Sequence, residues 1–462
     1  MVNQKSHNSV QVRNPYTNEI LATLECANSE KIAKTVGDAE EAFQTVALQM
    51  TPYDRYELLF SVSKKIHSNR DELACLISME SGKPIRDSFI EVDRAQQTLL
   101  FSAEAAKNIR GEAIPCDVTP IHTGKVALTS RVPLGVLAAI SPFNFPLNLV
   151  VHKVGPGIAA GNAVILKPSS QTPLTAIKLR DFFLEAGCHP GLFQLVIGPG
   201  SVGEDLACQD RIRLVSFTGS VSVGKRLSSK IGMKKIVLEL GGNDPLLVMA
   251  DGNLEDAASV AVEQGVGTNG QRCTAVKRVL VHEAVAEKFN ARVVNIVKAL
   301  RVGDPLDPET DVGPLITVDA AIEVEKRINE AVKSGAALLC GGSRDGATIS
   351  PTVLKDVDPG AELVKEETFG PVIPIMTFSD IEEATRICNG TQYGLQAGVF
   401  TSDLNILKRM FRDLEVGAVV SNQGPGFRIE HLPFGGTKMS GHGREGIRYA
   451  LEEMTEIKTM IF

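Results

Sequence analysis

Three residues of the types that act on carbonyl groups lie far apart in this chain: a cysteine, an asparagine and a glutamate. Cys273 lies in the segment T-N-G-Q-R-C-T-A-V-K, shortly after Gly270, where a glycine lets the backbone turn tightly. Arg272 and Arg278 bracket this cysteine in sequence, and neighbouring cations favour the thiolate, which is the nucleophilic form of a thiol. An isolated cysteine is more often a buried structural residue. The interpretation of Cys273 as a nucleophile therefore depends on the other segments.

Asn144 and Glu239 would supply the other groups that a cysteine nucleophile needs. Asn144 lies in the segment P-F-N-F-P, where two prolines and two aromatic rings hold its amide on a rigid turn, able to point at a developing oxyanion. The alternative is that Asn144 only caps the helix that follows. Glu239 lies inside the apolar run I-V-L-E-L, where desolvation raises the pKa of a carboxyl group. A raised pKa suits a general base, although a structural ion pair is the alternative.

Alternating strands and helices must position these residues. A helix carrying His152 and Lys153 follows the P-F-N-F-P turn, and the next strand ends at Lys167, before P-S-S. A ligand is expected at the carboxyl ends of such strands. Gly219 and Ser220 lie between a strand and a helix, and a helix N-terminus reached in this way receives phosphate groups.

Composition narrows the class of protein. The 462 residues predict two or three domains, and 43% hydrophobic with 22% charged residues is typical of a soluble globular protein. A net charge of -7 without a basic run argues against a nucleic-acid partner. No apolar run reaches the ~20 residues of a membrane helix, and the N-terminus lacks a secretory signal. The eight cysteines contain no C-x-x-C pair, so we predict neither disulfides nor a metal site, and a cytoplasmic protein.

Other segments indicate how the chain is organised. Residues 29–109 have a helical pattern, and residues 111–135 have the alternation of paired strands, whose exposed edges suggest contact between subunits. A second alternation of strands and helices begins beyond residue 244 and carries Cys273. Strand-like segments follow at 349–353, at 366–373 and in the tail at 455–462.

Seven motifs occur in an order and spacing that resemble the aldehyde dehydrogenase superfamily: P-F-N-F-P, K-P-S-S, F-T-G-S-x-x-x-G, L-E-L-G-G, G-Q-R-C, E-x-F-G-P and L-P-F-G-G. They span nearly the whole chain. The resemblance implies an α/β fold with a Rossmann-like cofactor domain (1–110 and 136–241), a catalytic α/β domain (242–437) and oligomerisation elements (111–135 and 438–462). It also implies a homodimer or a homotetramer.

The resemblance implies a role for each group. Cys273 would attack the aldehyde to give a thiohemiacetal, and the Asn144 side chain and the Cys273 backbone N–H would bind the oxyanion. Hydride would leave to a nicotinamide, giving a thioester. Glu239 would then activate the water that hydrolyses the thioester. Lys153 is similar to the lysine that assists proton relay in the family.

The resemblance also implies an NAD or NADP site. Lys167 and Ser170 would bind the adenine ribose, and Gly219 and Ser220 would lie under the pyrophosphate. Glu367 would hold the nicotinamide ribose. Phe369, Ser141 and Phe143 complete the predicted cofactor residues. Many NAD-preferring members have a glutamate where Ser170 stands, and its loss removes repulsion against a 2′-phosphate. A serine can also bind a ribose hydroxyl, so both cofactors stay open.

Three arginines fall where the family lines its substrate pocket: Arg94, Arg272 and Arg428. Guanidinium groups bind phosphate, phosphonate, sulfonate and carboxylate, so we expect a short aldehyde with an anionic group. This pattern resembles the non-phosphorylating glyceraldehyde-3-phosphate, phosphonoacetaldehyde and lactaldehyde dehydrogenases, with Phe145 and His152 as further pocket residues. Phe145 departs from the first two groups, where a polar ring is expected. The alternative is that an arginine pairs with a local acid such as Asp93 or Glu430.

Other functions fit the residues less well. A broad-specificity lactaldehyde or succinate-semialdehyde dehydrogenase is the main alternative. An acylating enzyme would pass the thioester to coenzyme A or phosphate, and Glu239 argues against it. A non-catalytic nucleotide-binding descendant would have lost Cys273, Asn144 or Glu239, and all three are present. A plain cysteine hydrolase would need a histidine in a motif beside Cys273.

Overall fold

The computed structural model describes residues 9–462, so the first eight residues of the predicted cofactor domain lie outside the described part. The strands within it are β1 (Ser9–Arg13), β2 (Ile20–Glu25), β3 (Ala113–Pro115), β4 (Val126–Pro133), β5 (Val136–Ile140), β6 (Ala163–Lys167), β7 (Phe193–Leu195), β8 (Ile212–Thr218), β9 (Lys235–Glu239), β10 (Asp244–Val248), β11 (Val276–His282), β12 (Ala337–Cys340), β13 (Arg344–Asp345), β14 (Thr348–Ile349), β15 (Thr352–Lys355), β16 (Val372–Phe378), β17 (Gln396–Phe400), β18 (Ala418–Ser421), β19 (Gly441–His442) and β20 (Thr455–Ile461).

The α-helices of the same part of the chain alternate with these strands. They are α1 (Ser29–Thr45), α2 (Pro52–Ser68), α3 (Arg70–Ser81), α4 (Ile85–Ala106), α5 (Asn148–Ala159), α6 (Leu174–Glu185), α7 (Gly200–Cys208), α8 (Val221–Lys230), α9 (Leu254–Val266), α10 (Ala286–Ala299), α11 (Val318–Lys333), α12 (Glu362–Lys365), α13 (Ile381–Asn389), α14 (Leu404–Asp413) and α15 (Ile447–Glu453). The predicted α/β fold class is confirmed.

The predicted helical region forms α1 to α4, and local residues mark its boundaries. Thr51 and Asp54 form a capping box at the start of α2, with Pro52 as its first residue. Helix α3 ends at Gly82, whose φ of 74° is the left-handed conformation that glycine adopts most easily. Pro84 then precedes α4, because proline has no N–H and its φ suits a helix start. Helix α4 packs against α2, α3 and α5.

The first large sheet has the strand order β19-β9-β8-β5-β6-β7, with β5 to β9 parallel and β19 antiparallel. Strands β5 and β6 are buried along their whole length and, apart from Lys167 at the end of β6, apolar, as expected of parallel strands with helices on both faces. The chain runs outward from β5 through β6 to β7 and returns to β8 on the other side of β5. Such a reversal of direction opens a ligand crevice at the carboxyl ends of the strands.

The second large sheet has the order β12-β15-β16-β11-β10-β17-β18, and only β12 is antiparallel to its neighbour. Cys273 lies just before β11, and Glu367 lies before β16. The predicted strand at 366–373 is wrong for residues 366–371, because β16 begins only at Val372. The predicted strand at 349–353 is interrupted at Pro351, which has no N–H to pair.

A third sheet joins β20, β4 and β3 in antiparallel pairs, where the sequence predicted paired strands and a strand-like tail. Only Thr455–Ile461 of the predicted oligomerisation tail lies in this sheet. Gly441–His442 pairs with β9, and the apolar residues Ile447, Leu451 and Met454 lie in the core around the first sheet. The predicted tail thus also contributes to the core around the first sheet. In residues 9–462 no helix combines the length and the apolar character needed to cross a membrane.

Candidate active site

The segment before Cys273 has an unusual backbone conformation. Thr268, Asn269 and Gly270 are all left-handed, with φ values of 54°, 57° and 70°. A Cβ atom on Gly270 would lie 2.1 Å from the carbonyl oxygen of Gly370, so only glycine fits this position. The Asn269 amide donates to the carbonyl oxygen of Gly82 at 2.8 Å, which ties the turn to the end of α3. This turn fixes where Cys273 lies.

Asn144 is buried and faces the same segment. Its Nδ2 donates one hydrogen bond to the carbonyl oxygen of Gln271 at 2.8 Å, which leaves its second N–H hydrogen available. Asn144 does not cap α5, because the residue before that helix is Leu147 and it makes no side-chain capping bond. The backbone N–H groups there donate to Glu91 instead.

One cavity of ≈ 450 Å³ brings the predicted residues together. Three of the four residues predicted to be catalytic line it: Cys273, Asn144 and Glu239. All eight predicted cofactor residues line it too: Ser141, Phe143, Lys167, Ser170, Gly219, Ser220, Glu367 and Phe369. Most of these follow strands of the first sheet, whereas Cys273, Glu367 and Phe369 precede strands of the second. The cavity therefore lies between the carboxyl ends of strands in the first sheet and the segments that lead into β11 and β16 of the second.

Arg272 attracts the Cys273 thiolate as predicted, but burial outweighs this attraction. Burial, followed by the negative charge of Glu367, raises the pKa of the Cys273 thiol to about 12. The Arg278 guanidinium donates to the backbone carbonyls of Ile387 and Cys388, at the end of α13. Residues adjacent in sequence need not share an environment, and here burial has the larger effect.

Glu239 is buried and neither carboxyl oxygen has a hydrogen-bond partner within residues 9–462. Burial and the nearby Glu445 raise its pKa well above 4.5. Lys153, the fourth predicted catalytic residue, donates to Glu445 at 3.0 Å and to Ser216 at 3.1 Å. Arg428 donates to the other Glu445 oxygen at 3.0 Å. Although burial opposes ionisation, Lys153 and Arg428 lower the pKa of Glu445 to about 2, so Glu445 stays ionised beside Glu239.

The residues at the other end of the cavity fit a dinucleotide. Lys167 is buried, and its Nζ makes no hydrogen bond within the described residues, so an ammonium group is available to a ligand oxygen. Ser220 caps α8, accepting from the backbone N–H of Val223, and it places the start of that helix on the cavity. Glu367 is held by the backbone N–H of Gly242 at 3.1 Å. Phe143 and Phe369 meet edge to face, with centroids 6.0 Å apart.

Three of the five residues predicted to bind substrate, Arg94, His152 and Arg428, form a charged cluster with Glu430 outside the lining of this cavity. Arg94 Nε donates to Glu430 at 2.6 Å, and His152 Nε2 lies 2.5 Å from the other Glu430 oxygen. Arg428 is 3.3 Å from His152 and pairs with Glu445. Burial opposes ionisation of Glu430, but His152, Arg428 and Arg94 together lower its pKa. Two of the three arginines therefore have acidic partners, one of them the predicted alternative Glu430.

Arg272 differs from the other two arginines. It is half-buried, it forms no ion pair with a carboxylate within residues 9–462, and its Nε makes no hydrogen bond there. Its Nη2 reaches only the carbonyl oxygen of Gly426, at 3.4 Å. Burial, followed by repulsion from Arg94, lowers its pKa. Asp93, the other predicted acidic partner, pairs with Arg70 instead, at 2.6 Å.

Several residues that build the site were missed in the sequence. Glu445 bridges Lys153 and Arg428, and its only sequence signal is its place after the glycine turn of S-G-H-G. Lys83 lies 3.9 Å from the Phe145 ring and pairs with Glu91. Glu91 precedes Arg94 by three residues and so lies on a neighbouring part of the same helix face, which was the available signal.

Comparison with known proteins agrees with this geometry. The sequence profile of the aldehyde dehydrogenase family matches residues 1–460. The chain belongs to the aldehyde dehydrogenase family. A lactaldehyde dehydrogenase of Methanococcus vannielii is 44% identical over 457 residues, covering 98% of this chain and 97% of the relative. A 3-sulfolactaldehyde dehydrogenase of Priestia aryabhattai is 40% identical over 453 residues, covering 98% and 94%.

A solved structure is also similar to this chain over nearly its whole length. The glyceraldehyde-3-phosphate dehydrogenase of Methanocaldococcus jannaschii, complexed with NADP, has a TM-score of 0.95 and 40% identity, and the match covers 99% of both chains. This aldehyde dehydrogenase is an oxidoreductase of the NAD(P)-dependent type, as the sequence predicted. The family match confirms the predicted enzyme class, and it leaves the individual residue roles as predictions.

Proposed function

We propose that this aldehyde dehydrogenase oxidises a small anionic aldehyde to its carboxylic acid through a thioester on Cys273. The observation that carries the proposal is the shared cavity, where Cys273, Asn144 and Glu239 lie beside the residues suited to a dinucleotide. In the proposed reaction Cys273 Sγ adds to the aldehyde carbon as its thiol proton passes to Glu239 and from there to solvent. Asn144 Nδ2–H and the Cys273 backbone N–H hold the oxygen, which becomes negatively charged.

A bound nicotinamide would supply the acceptor for the hydride of the aldehyde carbon, and Lys167, Ser220 and Glu367 would hold that cofactor. Glu239 then takes a proton from water, and the resulting hydroxide attacks the thioester and releases the acid and Cys273. Its raised pKa and its carboxyl oxygens, which have no hydrogen-bond partner, support this role. Glu445, which Lys153 and Arg428 keep ionised, helps to hold the pKa of Glu239 above its ordinary value.

The charge of the substrate cluster supports an anionic aldehyde. Three cationic side chains, Arg94, Lys153 and Arg428, pair with two ionised carboxylates, Glu430 and Glu445. Arg272 is the cation without a carboxylate partner. A sulfonate or phosphate on the substrate would supply that partner. Two of the relatives named above act, by their names, on aldehydes with such a group.

An uncharged 2-hydroxyaldehyde is the second candidate substrate. Arg94 and Arg428 each already pair with a carboxylate, at 2.6 Å and 3.0 Å, so neither needs a substrate anion for charge balance. The lactaldehyde dehydrogenase relative has the higher identity, 44%. Lactaldehyde and 3-sulfolactaldehyde differ by one sulfonate, so they form a matched pair of test substrates.

NADP use is supported at the adenine end of the cavity. Ser170, an uncharged residue, and Lys167 both line this cavity. The Methanocaldococcus jannaschii structure contains NADP. We propose that the enzyme accepts NADP, and each assay below is run with both cofactors.

The test compares kcat/KM for 3-sulfolactaldehyde and lactaldehyde by absorbance of the reduced cofactor. The proposal expects a preference of ~10²-fold or more for the sulfonate. Arg272→Met is expected to lower that preference by at least ~10-fold, because a charge-assisted hydrogen bond contributes roughly 1.5–3 kcal/mol. Arg412→Met, at an exposed arginine that pairs with Asp413, is the control and should leave the preference unchanged. Equal kcat/KM values for the two aldehydes would favour the uncharged substrate.

A further inference from the structure

One face of α4 contacts all three segments that carry the site residues. Asp87, Glu91 and Arg94 follow one another at spacings of four and three residues, so their side chains share one face of the helix. Asp87 accepts from the backbone N–H of Thr268 at 2.8 Å, in the turn before the cysteine. Arg94 donates to Glu430 at 2.6 Å. Glu91 lies between these two contacts.

Glu91 binds the beginning of α5. Its Oε1 accepts from the backbone N–H groups of Leu147 and Asn148, at 2.9 Å and 3.0 Å. These are N–H groups that a helix N-terminus leaves without an intrahelical partner. Its Oε2 forms an ion pair with Lys83, and both side chains are almost completely buried, at 0% and 1% exposure. Such a pair is rigid, since either charge alone would be strongly unfavourable there.

The Lys83–Glu91 ion pair also contacts the P-F-N-F-P turn at Phe145. The Lys83 ammonium lies 3.9 Å from the centre of the Phe145 ring, the residue next to Asn144. Lys83 thus contacts the turn at Phe145, and Glu91 holds it at Leu147 and Asn148. On the far side, Asn144 itself is bonded to Gln271. The amide of Asn144 has little freedom between these contacts.

We propose that Glu91, held by Lys83, is a positioning residue for Asn144. It fixes residues 144–148 so that the free amide hydrogen of Asn144 points at the aldehyde oxygen when the carbonyl carbon lies at Cys273. Neither residue touches the reacting atoms in this arrangement. The inference rests on the proposed function, because it takes Asn144 to be the oxyanion donor.

The chain offers a matched control in Glu80. This carboxylate is also fully buried at a helix start, where it accepts from the backbone N–H groups of Leu174 and Thr175 at 2.8 Å and 3.1 Å. The helix it binds, α6, carries none of the predicted site residues. Glu80→Gln therefore reproduces the structural change of Glu91→Gln at a helix that does not lead to Asn144.

The experiment is a double-mutant cycle on kcat with Glu91→Gln and Asn144→Ala, singly and together. Asn144→Ala is expected to lower kcat by ~10²–10³-fold as the loss of an oxyanion donor. Glu91→Gln should lower kcat by ~10–10²-fold, since misplacing a catalytic group by about 1 Å costs this much, with KM changed less than ~3-fold. In the Asn144→Ala background the same change should cost less than ~3-fold, because its target is gone. Glu80→Gln should leave kcat within ~2-fold.

Each other outcome contradicts a different claim. If the losses from Glu91→Gln and Asn144→Ala multiply, Glu91 acts independently of Asn144 and the positioning role is wrong. An equal fall in kcat for Glu80→Gln would make the effect a general loss of stability. If Asn144→Ala keeps the wild-type kcat, the proposed function fails at the oxyanion donor, and the positioning role fails with it. Should Glu91→Gln not fold, Lys83→Met combined with Glu91→Gln removes both buried charges, and the same cycle applies.

Discussion

Burial, more than sequence neighbours, controls proton affinity in this active site. The Cys273 thiol has a pKa of about 12, and the Glu239 carboxyl has a pKa well above 4.5, both chiefly through desolvation. A neutral thiol must lose its proton as it attacks, so a base is needed nearby. Glu239 lines the same cavity, and neither of its carboxyl oxygens has a hydrogen-bond partner within residues 9–462. Its ionised fraction should therefore limit the rate at low pH.

The pH dependence of kcat tests this directly. A carboxylate base works when it is ionised, so a raised pKa moves the loss of activity on acidification to a pH well above 4.5. Glu445→Gln removes the negative charge that helps to raise the pKa of Glu239 and releases Lys153 and Arg428 from it. The acidic limb of the kcat profile should then move to lower pH.

The exposed Glu415, which pairs with Lys438, provides the control. Glu415→Gln should leave the kcat profile in place. An acidic limb near pH 4.5 in the wild type, or a shift to higher pH in Glu445→Gln, would contradict the assignment of Glu239 as the base. Thermal unfolding of each variant separates these effects from loss of the fold.

Among the elements, the turn at 268–270 sets the position of the cysteine. It follows α9, precedes β11 and has three consecutive left-handed residues. Such a conformation is unfavourable for residues other than glycine, and tertiary contacts must maintain it. Asn269 bonds to the carbonyl oxygen of Gly82 and Asp87 accepts from Thr268, so α4 and the end of α3 stabilise a turn that lies far along the chain.

Gly270→Ala should disrupt this turn. Its Cβ would lie 2.1 Å from the Gly370 carbonyl oxygen, so the backbone must move. We expect a loss of about 1–3 kcal/mol in stability, as for other overpacked sites, and a fall in kcat of ~10²-fold or more from displacement of Cys273. Thermal unfolding and steady-state kinetics measure the two effects.

Gly232→Ala separates the two causes. Gly232 has a similar φ of 65°, and a Cβ there would meet nothing within 4 Å. This variant should lose about 1 kcal/mol from the left-handed conformation alone and keep the wild-type kcat. If Gly270→Ala behaved like Gly232→Ala, the close approach to Gly370 would not position the cysteine.

For the whole molecule, the third sheet is the feature that predicts assembly. Strand β20 lies at its edge, and Ile457, Met460, Ile461 and Phe462 are all exposed there. Exposed apolar side chains on an edge strand favour pairing with another chain. A homodimer or a homotetramer therefore stays our prediction.

Charged residues on this strand should break the assembly. Ile457 and Ile461 are four residues apart on a strand, so both side chains lie on the same face. We expect Ile457→Asp with Ile461→Asp to reduce the molar mass in sedimentation equilibrium to a smaller species. Lys458→Glu, on the opposite face, is the control. A monomeric wild type, or an unchanged mass in the double variant, would contradict the prediction.

Much of the site could be predicted because its residues lie at strand ends. Lys167 ends β6, Gly219 follows β8, and Glu239 ends β9, so the parallel sheet brings their positions to one edge whatever the details of packing. Asn144 and Cys273 lie in short motifs whose prolines and glycines restrict the backbone locally. The α/β class and the three central catalytic candidates followed from the sequence for this reason, and the family resemblance supplied the cofactor residues.

Charge partners were decided only by the tertiary structure. Arg94 and Glu430 are 336 residues apart, and Lys153 and Glu445 are 292 apart, so no local pattern could pair them. The proton affinity of Cys273 was also out of reach, since it depends on burial and on the charge of Glu367, whereas Arg278, five residues away in sequence, donates to backbone carbonyls elsewhere. Local chain geometry can be inferred from neighbouring residues. Electrostatic energy depends on distance and burial in space, and only the folded chain determines those.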